Sequence, residues 1–128
     1  MRLEITRSAD LAVRALGALQ PVGTRRKASD LAGELGTTRG FLAQVLTPLV
    51  RLGWVASVPG PNGGYAATTA DLSALDVIEA VDGPTDDGRC VVASTPCDPD
   101  QPCTLHGAWA SARAALIETL KATPVAAA

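Results

Sequence analysis

Apolar residues recur every three or four positions in five stretches of the chain, which predicts five helices. The stretches cover residues 8–19, 28–35, 37–52, 72–81 and 105–121. Proline or glycine follows the first, second and fourth stretches, as is typical where a helix ends. Ser29 or Asp30 can cap the second helix, and Thr37 and Thr38 can cap the third. The chain is therefore mainly helical by pattern, with a bend expected at Pro48, where a helix loses a hydrogen bond.

The second and third helices are joined by a tight turn that contains Gly36, which predicts a helix-turn-helix. The third helix is then the recognition helix, whose first residues reach base edges in the major groove. There, Arg39 can bind guanine and Gln44 can bind adenine, although Arg39 can equally contact only phosphate or solvent. The predicted DNA contacts in this part are the basic cluster and the helix start: Arg25, Arg26, Lys27, Thr37, Thr38, Arg39 and Gln44.

Two short stretches with strand character follow, Gly53–Val58 and Tyr65–Thr69. Between them lies a dense run of proline, glycine and asparagine, which predicts a turn. A hairpin directly after a recognition helix is a wing, and its tip can enter a minor groove through Asn62 and Gly63. The alternative is a hairpin that only closes the core.

The formal net charge of −2 argues against nucleic acid, but the distribution of charge argues for it. Residues 1–53 hold eight Lys/Arg and four Asp/Glu, net +4, and residues 54–128 hold three and nine, net −6. A basic front half fits a protein that presents one face to a phosphate backbone. The alternative is an ordinary solvated surface.

At 128 residues with 47% hydrophobic and 3% aromatic residues, the chain can form one domain of closely packed helices.

The chain's only cysteines and only histidine share one segment, spaced Cys90-x6-Cys97-x5-Cys103-x2-His106. Thiolates are soft ligands that suit iron–sulfur clusters, zinc or copper(I). Three prolines stiffen the segment before it binds anything. If a helix begins near Cys103, His106 lies on the same helical face. The spacing therefore indicates a loop that holds a metal cofactor.

Three other interpretations compete for these cysteines. Disulfides would leave one thiol over, because three is an odd number. A structural zinc with three thiolates and an imidazole is chemically sound, but zinc ligands usually pair as C-x2–4-C. Cysteines can also be small buried hydrophobes, which does not suit a polar, proline-rich loop.

The last predicted helix carries an apolar stripe that a winged helix does not need for its own core. We therefore expect a dimer interface formed by Leu105, Trp109, Ala112, Leu116 and Leu120. The expected fold is mainly α with a small β wing: a winged helix-turn-helix plus a long C-terminal dimerisation helix. Its parts are a DNA-binding domain over 1–83, a cluster loop over 84–103, the dimerisation helix over 104–122 and a frayed tail over 123–128.

Together these pieces resemble the IscR/NsrR-type family of iron–sulfur, winged-helix transcription regulators over nearly the whole chain. The resemblance rests on five stretches of sequence: Met1-Arg2-Leu3, residues 11–16 of the first helix, residues 60–65 of the wing, residues 76–83 and the cysteine loop. It implies a homodimer with crossed C-terminal helices that binds an operator in double-stranded DNA. The chain departs from the family in its six-residue first cysteine gap, where five is usual, and in Pro59, where the wing often has arginine.

In this family Cys90, Cys97 and Cys103 would hold the cluster, and a fourth ligand separates the subfamilies. His106 matches the ligand of members with a 2Fe–2S cluster. Asp10, acting across the dimer from the partner subunit, matches that of members whose 4Fe–4S cluster reacts with nitric oxide. The sequence thus predicts a regulator, not an enzyme, that responds to nitric oxide, redox state or iron–sulfur supply.

Two rival functions remain: a zinc-stapled DNA-binding protein without sensing, and a redox protein that uses the cluster itself. No apolar run approaches the roughly 18 residues of a membrane span, and no signal-peptide pattern opens the chain, so we expect a cytoplasmic protein.

Overall fold

The computed structural model describes residues 4–86, 88, 98 and 100–125. Within them lie five helices and three short strands, in agreement with the expected fold class. In chain order these are α1 (Arg7–Ala18), β1 (Arg26–Lys27), α2 (Ala28–Glu34), α3 (Arg39–Arg51), β2 (Val55–Val58), β3 (Gly64–Ala67), α4 (Ala74–Asp82) and α5 (His106–Lys121). In this described part of the chain, every helix is too short or too polar to cross a bilayer.

Side-chain caps begin three of the helices, because the first N–H groups of a helix have no partner inside it. The hydroxyl of Thr6 accepts from the Ala9 N–H at 3.0 Å, and that of Thr38 accepts from the Phe41 N–H at 3.1 Å. Helix α4 begins with a capping box in which Ser73 and Asp76 bond each other's backbone N–H groups.

Helix α2 begins differently, and the prediction that Ser29 or Asp30 caps it is wrong. Lys27 occupies the capping position without a side-chain bond, and Ser29 and Asp30 lie inside the helix. The N–H of Ala28, the first residue of α2, donates instead to the carbonyl of Gly63 at 3.0 Å. A distant backbone group thus supplies what a local side chain usually provides.

The core forms where α1, α3 and α4 meet. Ala9, Ala12 and Ala15 on α1 have no exposed surface, so these small residues let neighbouring helices approach closely. Burial of branched side chains supplies the main stabilisation. The largest fully buried side chains are those of Leu16, Leu19, Leu31, Leu42, Leu46, Leu49, Val55, Val77 and Val125.

The sheet has the order β1-β3-β2, with both pairs antiparallel. The predicted hairpin β2–β3 is present, but the pattern gave no sign of β1. Lys27 pairs with Gly64, where a side chain on Gly64 would meet the backbone of β1. A Cβ there would lie 2.8 Å from the carbonyl carbon of Arg26 and 3.1 Å from the Cα of Lys27. Glycine therefore lets β1 and β3 come together.

The end of the described chain is fixed against the start of α4. The Ala74 N–H donates to the Thr123 carbonyl at 2.7 Å, and the Val125 N–H donates to the Leu72 carbonyl at 3.0 Å. The Val125 side chain is 2% exposed and belongs to the main core cluster. The expected frayed tail is thus wrong for residues 123–125, because they gain backbone bonds and bury an apolar side chain. Residues 126–128 lie outside the described residues.

Candidate nucleic-acid interface and metal-ligand turn

Helices α2 and α3 form the predicted helix-turn-helix. Gly36 has φ +71° in the turn, a conformation that favours glycine, and the Thr37 N–H donates to the Ala32 carbonyl at 2.9 Å. Thr37 is half-buried, and the Thr38 hydroxyl is used as the helix cap. The two predicted base-reading residues, Arg39 and Gln44, are both exposed on α3.

The wing tip, defined here as residues 59–62, lies beside the start of α3. Nη2 of Arg39 donates to the Gly60 carbonyl at 3.4 Å. Nη2 of Arg25, from the chain before β1, donates to the Asn62 carbonyl at 2.9 Å. The structure therefore brings together three of the predicted DNA-binding residues, which are up to 37 positions apart in sequence.

Gly63 and Arg26 are placed differently from the predicted DNA contacts. Gly63 is buried; its N–H donates to the Gly60 carbonyl at 2.9 Å and its carbonyl accepts from Ala28 at 3.0 Å. These bonds place Gly63 in the wing turn, and its role as a DNA contact stays a prediction. Arg26 is half-buried, forms an ion pair with Glu34 and donates from Nη1 to the Ala18 carbonyl at 3.2 Å. Its guanidinium thus joins the ends of α1 and α2.

One basic residue at this surface was not among the predicted contacts. The guanidinium of Arg7, in the first turn of α1, lies 6.0 Å from the centre of the Phe41 ring on α3. Arg7 is exposed, and Phe41 is in the first turn of the recognition helix. Only its positive charge in the basic half of the chain pointed to Arg7, because no local pattern joins residues 34 positions apart. Lys27 is also exposed.

Two of the predicted metal ligands share one turn at the start of α5. The backbone N–H of His106 donates to the Cys103 carbonyl at 3.1 Å. Cys103 is half-buried and the His106 side chain is exposed. Cys90 and Cys97 lie outside the described residues. Within the part of the chain that the structure describes, no three His, Cys, Asp or Glu side chains are grouped to hold a metal.

Asp10, the alternative fourth ligand, is exposed on α1 and forms an ion pair with Nε of Arg14 at 3.3 Å. Nη2 of the same arginine donates to the Leu35 carbonyl, at the end of α2, at 3.2 Å. The Asp10 carboxylate is thus at the surface, and its role as a ligand stays a prediction.

The apolar stripe of α5 lies largely outside the core. No residue of α5 is buried, and Leu105 and Leu116 are 40% and 47% exposed. At the C-terminal end, Leu120 packs against a small cluster formed by Ala9, Ala74 and Ile78. Trp109 is half-buried and Ala112 is exposed. The C-terminal end of the stripe thus packs on the rest of the chain, whereas Leu105, Ala112 and Leu116 are exposed.

Comparison with known proteins gives a match over nearly the whole chain. Residues 5–127 match the model of the Rrf2 family, described as "Iron-dependent Transcriptional regulator". An HTH-type transcriptional regulator IscR from Vibrio atlanticus is 34% identical over 83 residues, which cover 63% of this chain and 47% of that protein. A rrf2-like putative HTH-type transcriptional regulator from Rhodobacter capsulatus is 36% identical over 73 residues, 54% of this chain and 49% of the relative. The matches span about half the length of these relatives.

Solved structures share the fold. The oxidized form of CymR from Staphylococcus aureus superposes with a TM-score of 0.76 at 22% identity, covering 97% of this chain and 94% of that one. CymR, described as the global cysteine regulator of B. subtilis, gives 0.77 at 22% identity with the same coverage. IscR of T. potens gives 0.73 at 22% identity, covering 97% of this chain and 84% of that one.

Proposed function

This chain belongs to the Rrf2 family of transcription regulators, and from that premise we propose that it is a homodimeric, DNA-binding regulator controlled by an iron–sulfur cluster. The matched relatives are named as transcription regulators, so the chain is a regulator rather than an enzyme. The proposed signal is nitric oxide, redox state or iron–sulfur supply. Operator binding would place the protein in the cytoplasm.

The observation that carries the DNA-binding proposal is the contact between the start of α3 and the wing tip. Arg39 bonds the Gly60 carbonyl while both remain exposed, so one surface offers a helix end and a hairpin tip together. A helix of this kind fits the major groove, and a hairpin tip fits the adjacent minor groove. Arg39 and Gln44 would read bases, and Asn62 would approach the minor groove.

Positive charge borders the same surface and would bind phosphates. Arg7 lies beside Phe41 at the start of α3, and Lys27 is exposed at the start of α2. Thr37 and Thr38 lie between α2 and α3, and we propose that they contact phosphates there. Each cation that neutralises a phosphate releases a counterion, so binding would weaken as salt increases.

The donor set fits an iron–sulfur cluster by its chemistry. Cys90, Cys97 and Cys103 would supply thiolates, the usual ligands of such clusters. His106 follows Cys103 within one turn and is exposed, so its imidazole is accessible to a further bond. Asp10 of the partner subunit is the alternative fourth ligand. When bound, the group would supply a redox-active centre that reacts with small molecules.

Dimerisation would use the outward part of α5. Leu105 and Leu116 expose apolar surface that a second copy of α5 can bury. A two-fold dimer would present two α3 helices and so prefer an operator with two related half-sites.

The cofactor is tested by anaerobic purification, followed by an absorption spectrum with iron, sulfide and zinc counts. We expect iron and sulfide in the wild-type protein and a bleached Cys97→Ala variant. Thr104→Ala, an exposed change in the same segment, is the matched control and should keep the colour. Loss of the spectrum in His106→Ala but not Asp10→Ala would identify the histidine as fourth ligand, and the opposite pattern the aspartate. A colourless protein with one zinc per chain would refute cluster control.

DNA binding is tested by selecting duplexes from a random library with the cluster-loaded wild-type protein. We expect a recovered sequence with two related half-sites, bound with a salt-dependent affinity that changes when the cluster is removed. Failure to enrich any duplex would contradict the proposed function.

A further inference from the structure

The wing tip is held between two arginines that come from different parts of the helix-turn-helix. Arg25, which precedes β1, bonds the Asn62 carbonyl at 2.9 Å. Arg39, the first residue of α3, bonds the Gly60 carbonyl at 3.4 Å. The two bonded carbonyls are two positions apart, one on each side of Pro61. The exposed turn is therefore hydrogen-bonded on one side by Arg25, next to β1, and on the other by Arg39, at the start of the recognition helix.

We propose that Arg25 and Arg39 are positioning residues that fix the wing against the recognition helix before DNA binds. The part of this inference that concerns DNA affinity rests on the proposed function, whereas the bracing itself does not. In the free protein the wing, β1, α2 and the start of α3 then form one preassembled reading surface. Arg25 is the principal brace, since its bond is the shorter of the two.

The hairpin has few interactions of its own to fix its tip. Strands β2 and β3 have four residues each, and an isolated two-stranded hairpin of this size is only marginally stable. Residues 59–62 are all exposed. Inside the turn, the Gly63 N–H bonds the Gly60 carbonyl, and the Gly63 carbonyl anchors the base of the wing to Ala28. Side chains from outside the hairpin therefore matter for the direction in which the tip points.

Bracing affects affinity because it removes a cost of binding. A wing that samples many directions must be ordered when it enters a groove, and a wing already fixed avoids that loss. The Arg39 bond, at 3.4 Å, is long enough to be exchanged for a base or phosphate when DNA arrives. Arg25 can keep its bond to Asn62 during that exchange, so the wing stays directed while Arg39 changes partner.

Amide hydrogen exchange of the DNA-free protein, measured by NMR at Gly63, tests the brace directly. This amide closes the turn by bonding Gly60, so it reports local opening of the wing. We expect Arg25→Met and Arg39→Met each to speed its exchange by about two- to fivefold, the range for an exposed hydrogen bond. Arg25→Lys, which keeps a cationic donor, should restore part of the protection. Arg51→Met, which removes an exposed charge at the other end of α3, is the matched control and should leave the rate unchanged.

The duplex recovered from the library then separates a brace from a phosphate contact. We expect Arg25→Met to weaken binding about two- to fivefold while the slope of log affinity against log salt stays the same. Loss of a phosphate contact would instead reduce that slope by about 0.9. Unchanged Gly63 exchange in both arginine variants would overturn the proposal, whatever happens to affinity. If no duplex is enriched but exchange still increases, the brace stands and only the DNA-binding function fails.

Discussion

The approach of β1 to β3 at Gly64 makes a sharp prediction about stability. Replacing Gly64 with alanine places a methyl group against the backbone of β1, with the carbonyl carbon of Arg26 only 2.8 Å away. Real Cβ atoms do not come within 3.0 Å of other heavy atoms, so one strand must move. Movement would separate the wing sheet from the start of α2, where Ala28 bonds Gly63.

The size of the effect follows from what blocks the methyl group. Adding volume to a packed site costs about 1–3 kcal/mol. The cost is at the lower end of this range where the obstructing atoms belong to flexible side chains that can move aside. Here the obstacle is backbone on both sides of the Arg26–Lys27 peptide, which cannot turn away. We therefore expect Gly64→Ala to lower the free energy of unfolding by about 2–3 kcal/mol. For a chain of this size, that corresponds to a fall in melting temperature of roughly 6–12 °C.

The assay is thermal and urea unfolding followed by circular dichroism at one fixed protein concentration, because dimerisation would make stability depend on concentration. Gly33→Ala is the matched control. Gly33 lies in α2, and a Cβ there would meet no atom within 4 Å. Alanine is the better helix former, so this variant should gain about 0.5–1 kcal/mol. A Gly64→Ala protein as stable as the wild type would refute the close pairing of β1 with β3.

Three further variants test the core, the dimer and DNA reading. Val125→Ala removes two methyl groups from a side chain that is 2% exposed and should cost about 1.5–2.5 kcal/mol in urea unfolding. The control Val22→Ala changes a side chain that is 47% exposed and should alter stability by less than about 0.5 kcal/mol. If Val125→Ala costs no more than Val22→Ala, the end of the described chain is not packed in the core. Leu116→Asp should yield monomers in sedimentation, whereas the control Ala115→Asp, which lies off the apolar stripe of α5, should stay dimeric. A dimeric Leu116→Asp protein would exclude the stripe as the dimer interface. Arg39→Ala should cost about 1–3 kcal/mol in operator affinity and relax specificity at one base pair. An equal loss on random duplexes would mean that Arg39 reads no base.

The sequence alone predicted the elements whose signals are local. Helical periodicity placed all five helices within about two residues of their observed ends, and the threonine cap of α3 was read from the chain directly. The hairpin followed from its turn residues, and the family resemblance from motifs that stand together in the text. These signals come from residues within a few positions of each other, so they are present before the chain folds.

Tertiary structure decided the features that join distant segments. Strand β1 has two residues and exists because β3, 37 or more positions later, offers it an edge. The same pairing explains why α2 needs no side-chain cap and why Gly63 is buried. The tail at 123–125 carries no periodic signal, which predicts a frayed end, yet it bonds residues about 50 positions earlier.

At the candidate site the same division holds. Composition and spacing singled out the basic front half, the recognition helix and the cysteine segment, because charge and ligand type belong to the residues themselves. Which cations face one surface depends on chain geometry: Arg26 turns toward Glu34, Arg25 and Arg39 meet the wing tip, and Arg7 lies beside Phe41. Sequence thus determined which charges and ligand types the chain carries, and folding decided which side chains act together. The reason is that hydrogen bonds and ring contacts form only between groups that the packed core brings within a few ångströms.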